Sequence, residues 1–334
     1  KRMIILYLLA LGGFMHAQDI HFSQFNGSLL NLSPGHTGLF DGDYRLSAIY
    51  RGQWYAVPVS YSSFSMNGEM RYKPDLGKPH AVGIGVLFNN DHAGYANYGG
   101  NQFYGSASYI YMARADSSLI VTIGANFGLC SLGFDYTKMT FDKQFNGFQF
   151  DPGLPTGENF GRTSQQYFDF NIGSVAQYVL NRKHKFSYAL GVYHLTRPKL
   201  ALQGNDVRYV DYKFSNCLGY TSPIAERTDI VAEALISNQS RYYELIPHVG
   251  LKYYMSRPEN KAVSAGVCYR TRDALVVRAG YSNKTLLSGI AYDINLSRFN
   301  IASNYRGAFE VFVTYVIKNN YNFSAKKRAC PSFM

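Results

Sequence analysis

The segment that most narrows the choice of fold is Ala308 to Lys318, reading AFEVFVTYVIK. Side chains of an extended chain alternate between two faces. Phe309, Val311, Val313, Tyr315 and Ile317 therefore share one face, and Glu310, Thr314 and Lys318 share the other. The first face suits lipid and the second suits water. A strand of a soluble sandwich can alternate in the same way, so the decision rests on how often the pattern recurs and on what accompanies it.

It recurs along the whole chain. Tyr44, Leu46, Ala48 and Tyr50 oppose Arg45, Ser47 and Arg51, and Val82, Ile84, Val86 and Phe88 are backed by Gly83 and Gly85. Val121, Ile123, Ala125, Phe127 and Leu129 alternate with Thr122, Gly124, Asn126 and Gly128. Phe168, Phe170, Ile172, Ala176 and Tyr178 alternate with Asp169, Asn171, Gly173 and Gln177. Later runs are Ile230 to Ile236, Val249 to Met255, Leu275 to Tyr281 and Ile290 to Ile294, with Glu233, Lys252, Arg278 and Asp293 on their reverse faces. A basic side chain on a lipid face costs about 2–4 kcal/mol at the bilayer midplane. The charges avoid that face almost entirely, which favours a membrane barrel over a sandwich.

The 275 residues from Tyr44 to Lys318, at roughly 20 residues per strand and connection, give about 14 strands, with 12 or 16 open. The expected fold is an all-β transmembrane antiparallel barrel whose even strand count puts both terminal segments on the periplasmic side. Turn signals divide the strands at Asp41-Gly42, Lys73-Pro74-Asp75, Asn89-Asn90-Asp91, Asn181-Arg182-Lys183, Arg257 to Asn260 and Arg272-Asp273. The long aromatic stretch from Asp135 to Gln165 reads as an extended loop or a strand pair rising beyond the membrane. Tyr109, Tyr111, Tyr253 and Tyr254 read as interfacial girdle residues.

Ahead of the strands, Lys1 and Arg2 lead into the apolar run Ile4 to Met15, which stops at Ala17 before Gln18-Asp19. This is too short to span a bilayer as a helix, which needs roughly 20 residues, and it fits a secretory signal peptide cleaved after Ala17. The chain then divides into a signal peptide (1–17), a periplasmic or plug segment (18–43), an outer-membrane barrel (44–318) and a periplasmic tail (319–334). No later apolar run is long enough for a transmembrane helix. An exported, strand-rich chain of that kind points to the outer membrane. The net charge of +11 is scattered over strands and loops and forms no basic helix, which argues against nucleic-acid binding.

No catalytic signature accompanies this pattern, and neither a metal nor a cofactor is expected. The elbow of serine hydrolases, the zinc-protease helix, the P-loop and the dinucleotide fingerprint are all absent from the sequence. His92, His194 and His248 have no partner spacing that sets them apart from loop or lumen histidines. Cys130, Cys217, Cys268 and Cys330 are too few and too far apart for a metal cluster, and their disulfide state is open.

Several short motifs occur in a recognisable order. Asp19 to Phe25 (DIHFSQF), Leu32 to Gly38 (LSPGHTG), Tyr50 to Trp54 (YRGQW) and Cys330 to Phe333 (CPSF) resemble the mature start, the Leu-Asn-Pro-Ala-x-x-Gly element, the Tyr-Arg-x-Gln-Trp element and the terminus of the PorP/SprF family. That resemblance implies a non-enzymatic outer-membrane component of type IX secretion and gliding machinery. The implied partners are a periplasmic lipoprotein ring or peptidoglycan-linked proteins, and the C-terminal domain of a large secreted adhesin held at the cell surface. Phe22, Phe25 and Pro34, with Arg51, Gln53 and Trp54, are the residues expected to fix the N-terminal segment as a partial plug at the periplasmic mouth; for Trp54 alone, a strand end with an interfacial girdle ring is an equal reading. Lys326, Lys327, Arg328, Cys330 and Phe333 are expected to dock a partner or fill the lumen. The competing reading is a porin or small-solute transporter with an open lumen lined by Arg45, Arg278, Glu310 and Lys318; a hydrolase would need a clustered Ser/His/acid site.

Overall fold

A computed structural model describes residues 19–55, 60–73, 79–113, 118–158, 161–181, 183–201 and 207–318. The expected signal peptide and C-terminal tail lie outside these residues. The strands are β1 (Tyr44–Gln53), β2 (Tyr61–Tyr72), β3 (His80–Ala93), β4 (Tyr98–Met112), β5 (Leu119–Gly133), β6 (Ser164–Leu180), β7 (His184–Tyr193), β8 (Lys199–Leu200), β9 (Arg208–Tyr209), β10 (Lys213–Ala225), β11 (Thr228–Gln239), β12 (Tyr242–Ser256), β13 (Lys261–Arg270), β14 (Ala274–Ser282), β15 (Leu286–Asn295) and β16 (Arg306–Ile317).

Fourteen of them form one closed antiparallel barrel, and β8 pairs only with β9. Closure is made by β1 and β16, in register from Tyr44 opposite Ile317 to Gln53 opposite Ala308. With no free edge, every strand can satisfy its backbone within the wall. The alternation read from the sequence sets the two faces: Phe309, Val311, Val313 and Tyr315 are exposed on the outside while Glu310 is buried in the lumen.

Four strands carry weaker signals than the rest. On β2 the outward positions include Ser62 and Gly68 beside Phe64, Met66, Met70 and Tyr72. On β4 Gly105 and Ala107 dilute Phe103 and Tyr109; β10 and β13 are similarly interrupted by small or polar residues. They are held by their neighbours' ladders as much as by their own periodicity.

Two local expectations are corrected. Asn89-Asn90-Asp91 is not a turn: β3 runs through to Ala93, and the turn follows at Gly94 to Asn97. Cross-strand amide bonds carry it outward, Asn89 Nδ2 donating to Gln102 Oε1 at 3.0 Å and Asn90 Nδ2 to Asn101 Oδ1 at 2.7 Å. Tyr254 is not a girdle residue. Adjacent strand residues face opposite ways, so with Tyr253 exposed outside Tyr254 turns inward, under the Arg257 guanidinium at 4.4 Å and the Lys252 ammonium at 5.0 Å.

The two ends of the barrel differ. β1 begins and β16 ends at one end, where hairpins such as Ala225 to Thr228 and Ser256 to Lys261 are tight. The opposite end carries the long connection between Gly133 and Ser164, the excursion from His194 to Tyr212 containing β8 and β9, and the loop before Arg306 with its single helical turn Asn300–Ser303. We call these the turn end and the loop end.

Candidate functional site

The N-terminal segment occupies the lumen, threading it lengthwise. Three short 3-10 turns, Phe25–Gly27, Leu29–Asn31 and Pro34–His36, let it change direction every few residues. Pro34 sits at the start of the third, and Ser33 caps it by accepting a bond from the Gly35 amide at 3.2 Å.

At the loop end the first described residue, Asp19, meets His194 Nε2 at 2.8 Å, while His194 Nδ1 faces Asp169 at 3.0 Å. Lys213 stands 3.5 Å from the Asp19 carboxylate. Burial opposes the charge on His194, but the Asp19 and Asp169 carboxylates beside it raise its pKa to about 10. Burial alone would push the Asp19 carboxyl up; His194 and Lys213 hold it well below the ordinary carboxylate range.

Four residues on, the chain enters a buried charge cluster. The amides of Ser23 and Gln24 donate to the two carboxylate oxygens of Glu310, each at 2.7 Å. The Ser23 hydroxyl donates to Asp293 at 3.1 Å and accepts from Arg51 and from Arg270, each at 2.8 Å. Arg51 also pairs with Glu310, and with Asp293 at 3.0 Å; Arg270 pairs with Asp293 at 2.9 Å. All four charged side chains are at most 2 % exposed. Such charges are tolerable when each has a partner, and here the plug backbone supplies two of the donors.

Apolar side chains pack around this core. Phe22 lies with Ile20, Ile49 and Phe312. Phe25 lies with Leu32, Leu235, Ile246 and Val276, and the Arg278 guanidinium sits 5.5 Å over its ring. Asn26 donates both amide hydrogens toward Glu233, at 2.8 and 3.0 Å.

From Leu32 onward the segment crosses to the wall made by β3 to β7, where it is met by backbone and hydroxyls. Ser33 Oγ donates to the Leu190 carbonyl at 2.7 Å, Thr122 Oγ1 to the Gly35 carbonyl at 2.6 Å, and Ser108 Oγ to the Thr37 carbonyl at 2.5 Å. The approach is close enough to require glycine. A Cβ on Gly83 would lie 2.2 Å from the Thr37 oxygen, and one on Gly124 2.3 Å from the Pro34 oxygen. Gly38 adds a backbone reason, with φ of +70°. The segment leaves at the turn end, where the Gly38 amide donates to Glu69 at 2.9 Å, Arg45 pairs with Glu69 at 2.7 Å, and Lys318 meets Asp41 at 3.0 Å.

The residues singled out from the sequence therefore separate. Phe22, Phe25, Pro34 and Arg51 all lie in the lumen, Pro34 against β5 and β6 and the other three on the far side, and Gln53 accepts from Arg51 at 3.2 Å. Trp54 does not join them: with φ of +59° it turns at the loop end and packs its ring on Tyr61 at 5.2 Å and Phe299 at 5.0 Å. Lys326, Lys327, Arg328, Cys330 and Phe333 lie outside the described residues. Cys130, Cys217 and Cys268 are free thiols. The motif around Pro34 lies deep in the lumen and not against a mouth, because glycines on the facing strands leave it room. Asp19 lies at the loop end, opposite Ile317. An even strand count fixes where the wall begins and ends, and a segment that crosses the lumen reverses the position of its own start.

Ser23, Arg270, Glu233 and the His194 pair were not anticipated as plug contacts. For Arg270 and Glu233 the signal was present as charge on the inner faces of strands, without any indication that the plug would answer them.

The fold and the occupied lumen define a class, an outer-membrane β-barrel whose own N-terminal segment lies in its lumen. The chain belongs to the PorP/SprF family, described as type IX secretion system membrane proteins, which it matches over residues 14–315. No curated relative matches the sequence. Among solved structures it is similar to the Ralstonia pickettii toluene transporter TbuX, at 12% identity and a TM-score of 0.53, covering 91% of this chain and 95% of that one. A deltaS2 mutant of the TodX monoaromatic hydrocarbon channel is similar at 10% identity and 0.53, covering 86% and 93%. At such identities the likeness is one of fold.

Proposed function

We propose that the protein is a non-enzymatic component of the type IX secretion and gliding machinery that works by binding, with its barrel closed by residues 19–42. Membership of the PorP/SprF family is the observation that carries this reading, and the plug supports it. The lumen charges that an open pore would present to solute are engaged by the plug: Glu310 by two of its amides, Arg45 by the His36 carbonyl at 3.0 Å, and Arg45's wall partner Glu69 by the Gly38 amide.

Barrels of this kind set short turns on the periplasmic side and long loops outside. In that orientation the turn end faces the periplasmic lipoprotein ring or peptidoglycan-linked proteins, together with the C-terminal tail. The loop end, with the 134–163 connection, faces the secreted adhesin's C-terminal domain. The start of the plug then lies toward the outer face, while the end of β16 stays periplasmic.

The test is affinity capture of the tagged protein from its native outer membrane in mild detergent, paired with planar-bilayer recording. Co-purification of ring lipoproteins or a large adhesin, with no steady conductance, is the expected outcome. Isolation alone with a stable large conductance would replace this reading with a porin.

A further inference from the structure

The plug crosses the lumen diagonally, from the charge cluster near β15 and β16 to the seat on β3 to β7, and leaves the lower part of the opposite wall uncovered. A cavity of about 270 Å³ remains there, open at the turn end and bounded by the plug at Asn26 and Leu29. This is just under the usual range for ligand pockets, roughly 300–1,000 Å³. It has room for the end of a peptide and not for a folded partner.

Its lining is divided by chemistry. Leu29, Phe40 and Leu287 supply apolar surface, and Asn67, Ser282 and Thr314 supply amide and hydroxyl groups. Two carboxylates reach the cavity, and both are already held. Glu69 takes Arg45, the Asn67 amide and the Gly38 amide, and Asp41 takes Lys318. Three cations reach it as well, Arg45, which is held by Glu69, and Lys252 and Lys284. Among the described residues neither lysine has a carboxylate within ion-pair distance. Lys252 makes only a 3.4 Å bond to the Asn260 side chain and lies over the Tyr254 ring, while Asp229, opposite it in the ladder, gives its carboxylate to Arg257 at 2.9 Å. The cavity thus offers positive charge with no internal answer, next to an apolar patch the size of one side chain.

We propose that this cavity binds the terminal carboxylate of a peptide, with Lys252 and Lys284 as its counter-charges and the last side chain against Leu29, Phe40 and Leu287. A protein chain end and a peptidoglycan stem peptide both carry that group. The site does not depend on the secretion reading and stands or fails on the purified protein.

The full chain in detergent is titrated with three probes: N-acetyl-Ala-Leu as the free acid, the same dipeptide as its C-terminal amide, and a stem pentapeptide ending in D-Ala-D-Ala. The free acids should bind at least ten-fold more tightly than the amide, and added salt should weaken them. The tighter of the two acids identifies the source, and equal binding assigns the site to the carboxylate alone. Lys252→Met and Lys284→Met should each reduce acid binding several-fold. Lys284 lies on an exposed turn, so its replacement leaves the barrel intact, and circular dichroism checks the Lys252 variant. Absence of acid binding, equal binding of acid and amide, or full binding by a folded double variant would overturn the proposal.

Discussion

On the side of the lumen built by β13, β15, β16 and β1, the plug is met by buried charge; on the side built by β3 to β7 it is met by small residues and hydroxyls. Both surfaces are inner faces of the same sheet, and both hold the same short segment. On the charged side Arg51, Arg270, Asp293 and Glu310 need each other and the plug, since an unpartnered buried charge is expensive. On the small side Gly83 and Gly124 need only to stay small, because the Thr37 and Pro34 carbonyls occupy the space a Cβ would need. The first side should be sensitive to chemistry and the second to volume.

The strongest way to break this contrast is Glu310→Ala. It orphans two plug amides and unbalances two arginines, and should cost about 3–5 kcal/mol, read as a lowered urea midpoint of the detergent-solubilised protein and as protease access to residues 19–42. A wild-type midpoint would show that the cluster does not hold the plug. Gly83→Ala should come next, at about 1–3 kcal/mol from overpacking, whereas Ser108→Ala on the same strand pair removes one neutral donor and should cost about 1 kcal/mol. If the hydroxyl loss exceeded the added methyl, the small side would be a polar surface after all.

The loop-end anchor gives a pH window. His194, raised to about 10, contributes fully below its ordinary value of 6.5 and loses that contribution as pH rises through about 10. Asp19, held low, contributes above its ordinary 3.8 and loses that contribution as pH falls below it. Proteolysis at the start of the plug should therefore be slowest between these limits and faster on both sides, and His194→Asn should flatten the alkaline limb. The smallest effect is expected at the turn end. Lys318 and Asp41 are 57% and 90% exposed, and Lys318→Ala should change stability by no more than about 0.5 kcal/mol.

Much of this was legible in the chain. The inner position of Arg45, Arg51, Asp293 and Glu310 followed from the period of two, since lipid excludes charge. Phe22, Phe25, Pro34 and Arg51 were singled out by the motifs around them, and all four lie in the lumen. Tyr254 was misjudged because a composition cue was allowed to override the alternation that its neighbour Tyr253 obeys. Trp54 was grouped with Arg51 by adjacency, yet a left-handed turn at its own backbone sends it to the rim.

By itself the sequence determined the barrel, its approximate strand number and which face of the strongly alternating strands meets lipid. Those properties depend on alternation within a few consecutive residues and on a solvent that rejects charge. Only the tertiary structure decided that Glu310 would take the Ser23 and Gln24 amides, that Gly83 and Gly124 would seat the Leu32 to Gly38 turn, and that Asp19 would end beside His194. Each of these joins residues separated by tens to hundreds of positions, and no local pattern encodes which partner closure of the barrel will bring opposite.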